Sequence, residues 1–471
     1  MTSPNGGDSP ADDSVASSGD PAGSVPPEHP HGPTVAGSLQ DLLRSPRFWA
    51  APLAAAVALL SLLAVSYFGG VANPQRELHD FPIALVNNDV GDPVTTDGVT
   101  TVQNIGDQIA DQVAAGIDPN QIDLRRVGID EAEHLMDTAQ IYGMIVISGD
   151  FTKTLRNFGA GGIVPGDLEK PVITVYTNPR MGASSAQFVT TVAGRIDERL
   201  QASISEQLLE TVNAALQPGQ QLTGATMIAF QEPVNIVFAE RFTLPEGSGA
   251  GLSAFYVALL LLLAGFTGSM VIHTLVDGRL GVIPIEYGPI QIRKHVEPAS
   301  RVVTLLIKWT IVAVYGVVMS GLFVLIADLM GMNTPNAIKL WVFGSIAIFA
   351  VGVTSMSILA IVGNAGLLVN LILFVALGLP SAGATIPLEA SPPIYTWFAE
   401  IIPLRQVFLG TRSILYFDAT FASGLGRALV MSFGATIIAV VIGLLVTWWF
   451  DKRGYVRTGD PAPRKAVATG A

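Results

Sequence analysis

Six stretches of this chain are too apolar and too long to be ordinary core elements. The first lies within residues 47–70 and contains "APLAAAVALLSLLAVSYF". The others run over about 251–272, 302–328, 340–362, 366–383 and 426–450. A helix needs about 20 apolar residues to cross a bilayer, and only helices or closed barrels satisfy their backbone there. The expected fold is therefore a polytopic α-helical membrane protein with six transmembrane helices. The stretch containing "GLLVNLILFVALGL" is the shortest. Of the 471 residues, 50% are hydrophobic and 14% charged, a balance that fits several spans better than three soluble domains. More than forty residues precede the first run, which favours an uncleaved anchor over a cleaved signal peptide.

The charge is divided along the chain. Residues 71–250 hold 10 basic and 23 acidic side chains, whereas residues 251–471 hold 14 and 9. An acidic block followed by a basic, apolar half implies two environments, and the acidity argues against nucleic acid as a partner. Residues 1–46 are rich in Ser, Pro, Gly and Asp and read as a disordered tail. Basic residues cluster before the first run (Arg44, Arg47), between the second and third (Arg279, Arg293, Lys294, Arg301) and after the sixth, in the tail 451–471 (Lys452, Arg453, Arg457). With six spans all three groups share one face, which the positive-inside rule makes cytoplasmic. Both termini are then cytoplasmic in a bacterial plasma membrane, and residues 71–250 are extracytoplasmic.

That block reads as an α/β domain inserted between helices 1 and 2. "FPIALVNNDVG" is a strand closed by a turn, "IYGMIVISGDF" and "KPVITVYTN" are further strands, and "TTVQNIGDQIADQVAAG" and "DEAEHLMDTAQ" have helical periodicity. From Phe188 to Leu216 an apolar residue stands at every fourth position. Such a stripe turns slowly around a 3.6-residue helix. A long helix bridging to a second partner and a long core helix of its own domain both fit.

The chain offers no catalytic constellation. None of its lysines follows a glycine, so a phosphate-cradling Gly-Lys-Ser/Thr loop is missing, as are Gly-x-Ser-x-Gly and His-Glu-x-x-His. No cysteine is present. No catalytic, cofactor or metal residue is expected, and "VNNDVG" reads as a strand-ending turn rather than a calcium loop. Within the spans Lys308 can snorkel to the inner interface, while Asn364 and Asn370 are the polar residues expected to face protein. Carboxylates at mid-membrane, which ion-coupled transport needs, are not found. The loop 273–301 carries mixed charge and "IPIEYGPIQI". It suits either docking of a soluble protein, with Arg279, Glu286, Arg293 and Lys294 as candidate contacts, or a plain solvated connector.

The segment 378–417 is neither span nor polar loop. Gly378, Pro380, Gly383 and Pro387 break the helix, and "SPPIYTWFAEIIPLRQVFLGTRSILYF" follows. Short helices that lie in the outer interface, or dip in and return, fit this mix. Gly383, Thr385, Pro387, Glu389, Ser391, Pro392, Trp397, Phe398, Pro403 and Arg412 together resemble the broken fifth span of type-2 ABC transporter permeases. One span, an outer insert and five further spans resemble the YhgE/Pip-like branch of that superfamily. Ala384 stands where a second glycine is common, and the insert is smaller than in the largest relatives. The resemblance implies a permease subunit that exports a lipid, glycolipid or drug, works as a homo- or heterodimer and is driven by a separate cytoplasmic ATPase. Residues 378–417 would then form an outer gate. A non-transporting membrane scaffold or surface receptor of a secretion or envelope system is the alternative.

Overall fold

The computed structural model describes residues 44–96, 99–161, 169–182, 184–216, 222, 224–292 and 299–455. Two compact units divide at Ala58–Leu59, within helix α1 (Pro46–Val71).

After α1 comes an α/β head, built from β1 (Phe81–Asn87), β2 (Asp92–Thr96), β3 (Val99–Gln103), α2 (Ile105–Gly116), β4 (Ile122–Arg126), α3 (Ile129–Asp137), β5 (Gly143–Ile147), α4 (Phe151–Gly161), β6 (Val172–Thr177), α5 (Ser185–Ala215), α6 (Gly224–Gln231) and β7 (Asn235–Glu240). Five strands form one sheet in the order β4-β1-β5-β6-β7, and β2 and β3 form a separate hairpin. β1 runs parallel to β4 and β5, whereas β6 is antiparallel to β5 and parallel to β7. β1 is buried on both faces, as an unbroken apolar run in a parallel sheet should be. Phe81, Ile83 and Leu85 pack with Ile109 and Val113 of α2 and Val192 of α5. Ala84 and Val86 pack with Ala132 and Met136 of α3 on the opposite face.

The turn after β1 is structural. Asp89 is buried, and its carboxylate accepts from the backbone N–H of Gly106 (3.0 Å) and Thr152 (3.1 Å) and from the Thr152 hydroxyl. It therefore serves the N-termini of α2 and α4 together, where an anion offsets unpaired N–H groups and the helix dipoles. The stripe on α5 stays within the head. Val192, Leu200, Ile204, Leu208 and Val212 are buried, and Phe188 and Ile196 are half-buried against the same core. Leu208 and Val212 meet Phe158 of α4 and Phe230 of α6, and Arg199 reaches the carbonyl of Gly116 at the end of α2.

The second half is a helix bundle. α7 (Ser253–Arg279) leads through the short hairpin β8 (Ile285–Tyr287) and β9 (Ile290–Ile292) to α8 (Arg301–Leu329) and α9 (Ala337–Val362). α10 (Gly366–Leu371) runs on into a π-helical turn at Ile372–Ala376. α11 (Pro393–Ile401) and α12 (Pro403–Tyr416) follow, then a π-helical turn at Phe421–Leu425 and α13 (Gly426–Lys452). Among the described residues five helical stretches are long and apolar enough to cross a membrane: Pro46–Val71, Ser253–Arg279, Arg301–Leu329, Ala337–Ala376 and Phe421–Lys452. The chain is a polytopic helical membrane protein.

The 40-residue stretch Ala337–Ala376 is not straight. Gly363 ends α9 with φ +68° and ψ −142°, a backbone that suits glycine. Beyond it the buried Asn370 donates to the Ser355 carbonyl (3.2 Å) and hydroxyl (2.9 Å). Fifteen residues of straight helix would separate those groups by about 22 Å, so the chain folds back at Gly363. Asn364 lies exposed in this turn, away from the protein interior expected for it. A turn between two antiparallel segments points its side chains outward.

Lys308 also departs from expectation. It is buried, with Nζ 2.7 Å from Asp277 Oδ1 and 3.0 Å from His273 Nδ1. α7 continues to Arg279, past its apolar run, and so carries Asp277 to the facing position on α8. A carboxylate within reach replaces the interfacial water that snorkelling would have sought. At the same end of the bundle, Asp451 of α13 accepts the backbone N–H groups of Arg301 (3.0 Å) and Val302 (3.2 Å).

Candidate functional site

The elements named above converge on one polar joint, where the base of the head meets residues 382–412. The sheet turns the starts of β1 and β5 and the end of β6 toward this joint. Tyr142, just before β5, donates its hydroxyl to Glu389 Oε2 at 2.8 Å. Its ring stacks on Phe81 at 4.5 Å between centroids. Burial, and then the Glu389 carboxylate, push the Tyr142 hydroxyl well above its ordinary range. His79, ahead of β1, donates its backbone N–H to the Glu389 carbonyl (2.7 Å), and its Nε2 lies 3.3 Å from the Thr396 hydroxyl. Past β6, Ser184 donates its hydroxyl to the Thr385 carbonyl, and the Met181 carbonyl accepts from Arg412 Nη1 at 2.9 Å.

The lower half of the joint is held by its own irregularities. Gly383 adopts φ +63°, and a Cβ there would stand 2.6 Å from Arg405 Nη1 and 2.8 Å from Leu388 Cγ. Only glycine fits that backbone beside that guanidinium. Arg405 Nη1 donates to the Ala382 carbonyl at 2.9 Å. Pro387 and Pro392 precede the short helical turns at Leu388–Ala390 and Pro393–Ile401, while Pro403 is the first residue of α12. Proline suits such positions because the first helical N–H groups have no partner to lose.

The two short helices differ. On α11, Ile394, Trp397 and Ile401 are exposed at spacings of three and four, while Tyr395 and Ala399 are buried. That outward apolar stripe matches a helix lying in a membrane interface. α12 is almost wholly buried instead, contrary to a surface-lying helix. It packs on α7 and α13, and Gly410 admits the Phe343 ring of α9. Tyr416 near its end reaches Ser253 of α7 (2.7 Å) and the Ser248 carbonyl (3.3 Å). Glycine, threonine and serine on α12 let it approach its neighbours closely, as small residues do between membrane helices.

Arg412 is sunk in this packing, 4% exposed, between the Phe408 and Phe417 rings. Burial first, and the nearby Arg405 second, lower its pKa to about 10, so it stays charged at neutral pH. Beside it lies a polar cavity of about 180 Å³, whose lining includes Tyr142, Glu389, Arg405, Arg412, Ser423 and Arg427. Two apolar cavities open elsewhere in the bundle. One of about 390 Å³ lies between α7 and α8 against Tyr256, Leu260, Phe323 and Met330. The other, of about 210 Å³, is walled by Val351, Ile401, Val407 and Ile438.

The family described as "Protein of unknown function (DUF3533)" matches residues 53–441. The chain belongs to this family. The DUF3533 match runs from α1 into α13 and contains every residue of the joint. Among curated proteins none matches the chain. The crystal structure of a domain assigned to an ABC type-2 transporter from Thermotoga maritima MSB8 is similar at 19% identity over 37% of this chain and 98% of that one. Its TM-score is 0.21, too shallow a similarity for comparing folds.

Of the DUF3533 residues singled out from sequence, Gly383, Thr385, Pro387, Glu389 and Arg412 meet in the joint, while Trp397 faces outward. Arg279 and Glu286 are exposed at the far end of the bundle, and Arg293 and Lys294 lie outside the described residues. Sequence reasoning did not single out Tyr142, His79, Met181 or Ser184. Tyr142 lies 247 positions from its partner Glu389 and belongs to no motif, so no local signal pointed to it.

Proposed function

We propose that this DUF3533 protein is the membrane permease subunit of an ABC-type exporter for a hydrophobic or amphipathic substrate. The observation that carries the reading is the apolar cavity of about 390 Å³ that opens between α7 and α8 of the bundle. A cavity of that size between bundle helices suits a lipid-like or drug-like guest. The π-helical turn, the left-handed Gly383 and two short helices give the adjoining segment the irregular backbone that membrane proteins keep where protein or water satisfies it. On this reading residues 378–417 form an outer gate.

The fold-back at Gly363 supports six crossings, counting Ala337–Val362 and the segment after Gly366 separately. The head and the basic end of the bundle lie at opposite ends of α7, whose 27 residues span about 40 Å. The positive-inside rule then puts both termini in the cytoplasm and the head outside. The hairpin β8–β9, with Glu286, Ile290 and Ile292 exposed, is the proposed dock for a separate ATPase, and the permease works as a dimer of the YhgE/Pip-like kind. The chain itself is proposed to carry no catalytic centre.

A scaffold or receptor is the second reading. Val237 and Phe238 are exposed on β7, an edge strand of the head, and such edges recruit partners. Purification from native membranes in mild detergent separates the two. A stoichiometric P-loop ATPase, lost when residues 285–292 are replaced by a Gly/Ser linker, supports export. Envelope or secretion proteins without an ATPase support the scaffold and overturn export.

A further inference from the structure

The 180 Å³ polar cavity at the joint has an unbalanced charge. Arg427 pairs with Glu400 at 2.7 Å, so that pair is neutral. Glu389 supplies one negative charge and is already bonded to Tyr142. Arg405 and Arg412 supply two positive charges, and among the described residues no carboxylate lies within ion-pair distance of either. Each gives one N–H to a backbone carbonyl, of Ala382 and Met181 respectively. The Nε of Arg412 is buried with no hydrogen-bond acceptor. A buried guanidinium without a counter-charge is costly, and one beside a second guanidinium is costlier still. The lining therefore has a net charge of +1 and leaves N–H donors of two guanidinium groups unspent.

We propose that this cavity binds a singly charged phosphate group. Guanidinium groups match phosphate oxygens in geometry as well as charge, and one negative charge neutralises the lining. Two sources carry that chemistry, a phospholipid headgroup and free inorganic phosphate. The lipid source is favoured by position. The outward stripe Ile394, Trp397 and Ile401 of α11 marks the interface, and Glu400 and Arg427 at the cavity's rim lie at the same level. The site rests on the cavity's charge and not on the export reading, so it stands whether or not the chain transports anything.

The test uses the full chain purified in an uncharged detergent. Native mass spectrometry reads retained phospholipid, and calorimetric titration with sodium phosphate, against sodium chloride of equal ionic strength, reads binding of the free ion. Nanodiscs doped with phosphatidylglycerol then show whether lipid displaces the bound phosphate. The expected result is one retained or competing phospholipid per chain and at least a tenfold weaker phosphate affinity in Arg405→Gln. Arg412→Lys, which keeps the charge but loses the fork, weakens binding less than Arg405→Gln, and Arg241→Gln, paired with Glu133 away from the cavity, leaves it unchanged. Phosphate binding without lipid competition assigns the site to the free ion. No binding of either above the chloride control, or equal affinity in Arg405→Gln, overturns the proposal.

Discussion

Tyr142→Phe removes one oxygen from the joint and nothing else of consequence. The ring keeps its stacking on Phe81, so the head's core is unchanged, but Glu389 loses the hydroxyl that holds it at 2.8 Å. Hydrogen bonds to charged groups contribute about 1.5–3 kcal/mol. Glu389 is only half-buried, so water can replace part of the loss, and the lower figure applies. At 1.36 kcal/mol per decade, about 1.5 kcal/mol raises the population in which segment and head have parted by roughly tenfold. Hydrogen exchange on the full chain in detergent reads this directly. Amides of residues 386–400 are expected to exchange about tenfold faster, with β1 and β5 unchanged. Equal acceleration in β5 would mean that the hydroxyl stabilises the head itself. Unchanged exchange over 386–400 would mean that the Tyr142–Glu389 bond does not hold the joint closed. Either result refutes the reasoning.

Asp89→Ala strands the buried N–H of Gly106 and of Thr152, at about 1–3 kcal/mol each; thermolysin is expected to cut the head sooner while the bundle resists as before. Lys308→Met takes the lysine from the buried Asp277, leaving His273 Nε2 3.3 Å away as a weaker partner, and is expected to cost about 3 kcal/mol, seen as a lowered melting temperature that the added change Asp277→Leu largely restores. Gly383→Ala forces a side chain into a left-handed backbone against Arg405, at about 1–2 kcal/mol of backbone strain alone, and a melting temperature equal to that of the parent would show that the turn relaxes freely. Tyr142 has a raised pKa, so its folded form keeps a proton that the unfolded chain releases near pH 10. Its contribution is complete below that pH and lost above it, and Tyr142→Phe is expected to flatten the alkaline arm of a stability profile.

What could be read in the sequence was whatever a short window determines. Runs without charge announced the membrane helices, and "FPIALV" announced β1 because a strand covered on both faces has no polar side to show. β7 gave no such sign. "NIVFAE" lies at the sheet's edge, mostly exposed, and its partner β6 lies some sixty residues earlier. The apolar tract after Lys339 read as two runs, 340–362 and 366–383, and the chain folds back between them at Gly363. Gly363 and Asn364 stand in the gap between those runs, and Gly363 takes the positive φ that the turn needs. Asp277 was overlooked because it lies beyond the apolar run, in residues assigned to a loop.

The joint was legible on one side only. Glu389 and Arg412 stood out as charges in an apolar segment, and Gly383 as a helix breaker, but their counterparts lie in the head, where an ordinary tyrosine, a serine and one backbone carbonyl carry no pattern. Their pairing changes what the broken segment can do. A free lip could swing in the membrane by itself. This one is tied through Thr385, Glu389 and Arg412 to residues 142–184 of the head, and through Tyr416 to the start of α7. Displacing it therefore either breaks those bonds or carries the head along. With several such bonds, the one from Arg412 buried, at about 1 kcal/mol each, moving head and segment as one body is the cheaper path, so an opening motion should register in the head as readily as in the membrane helices.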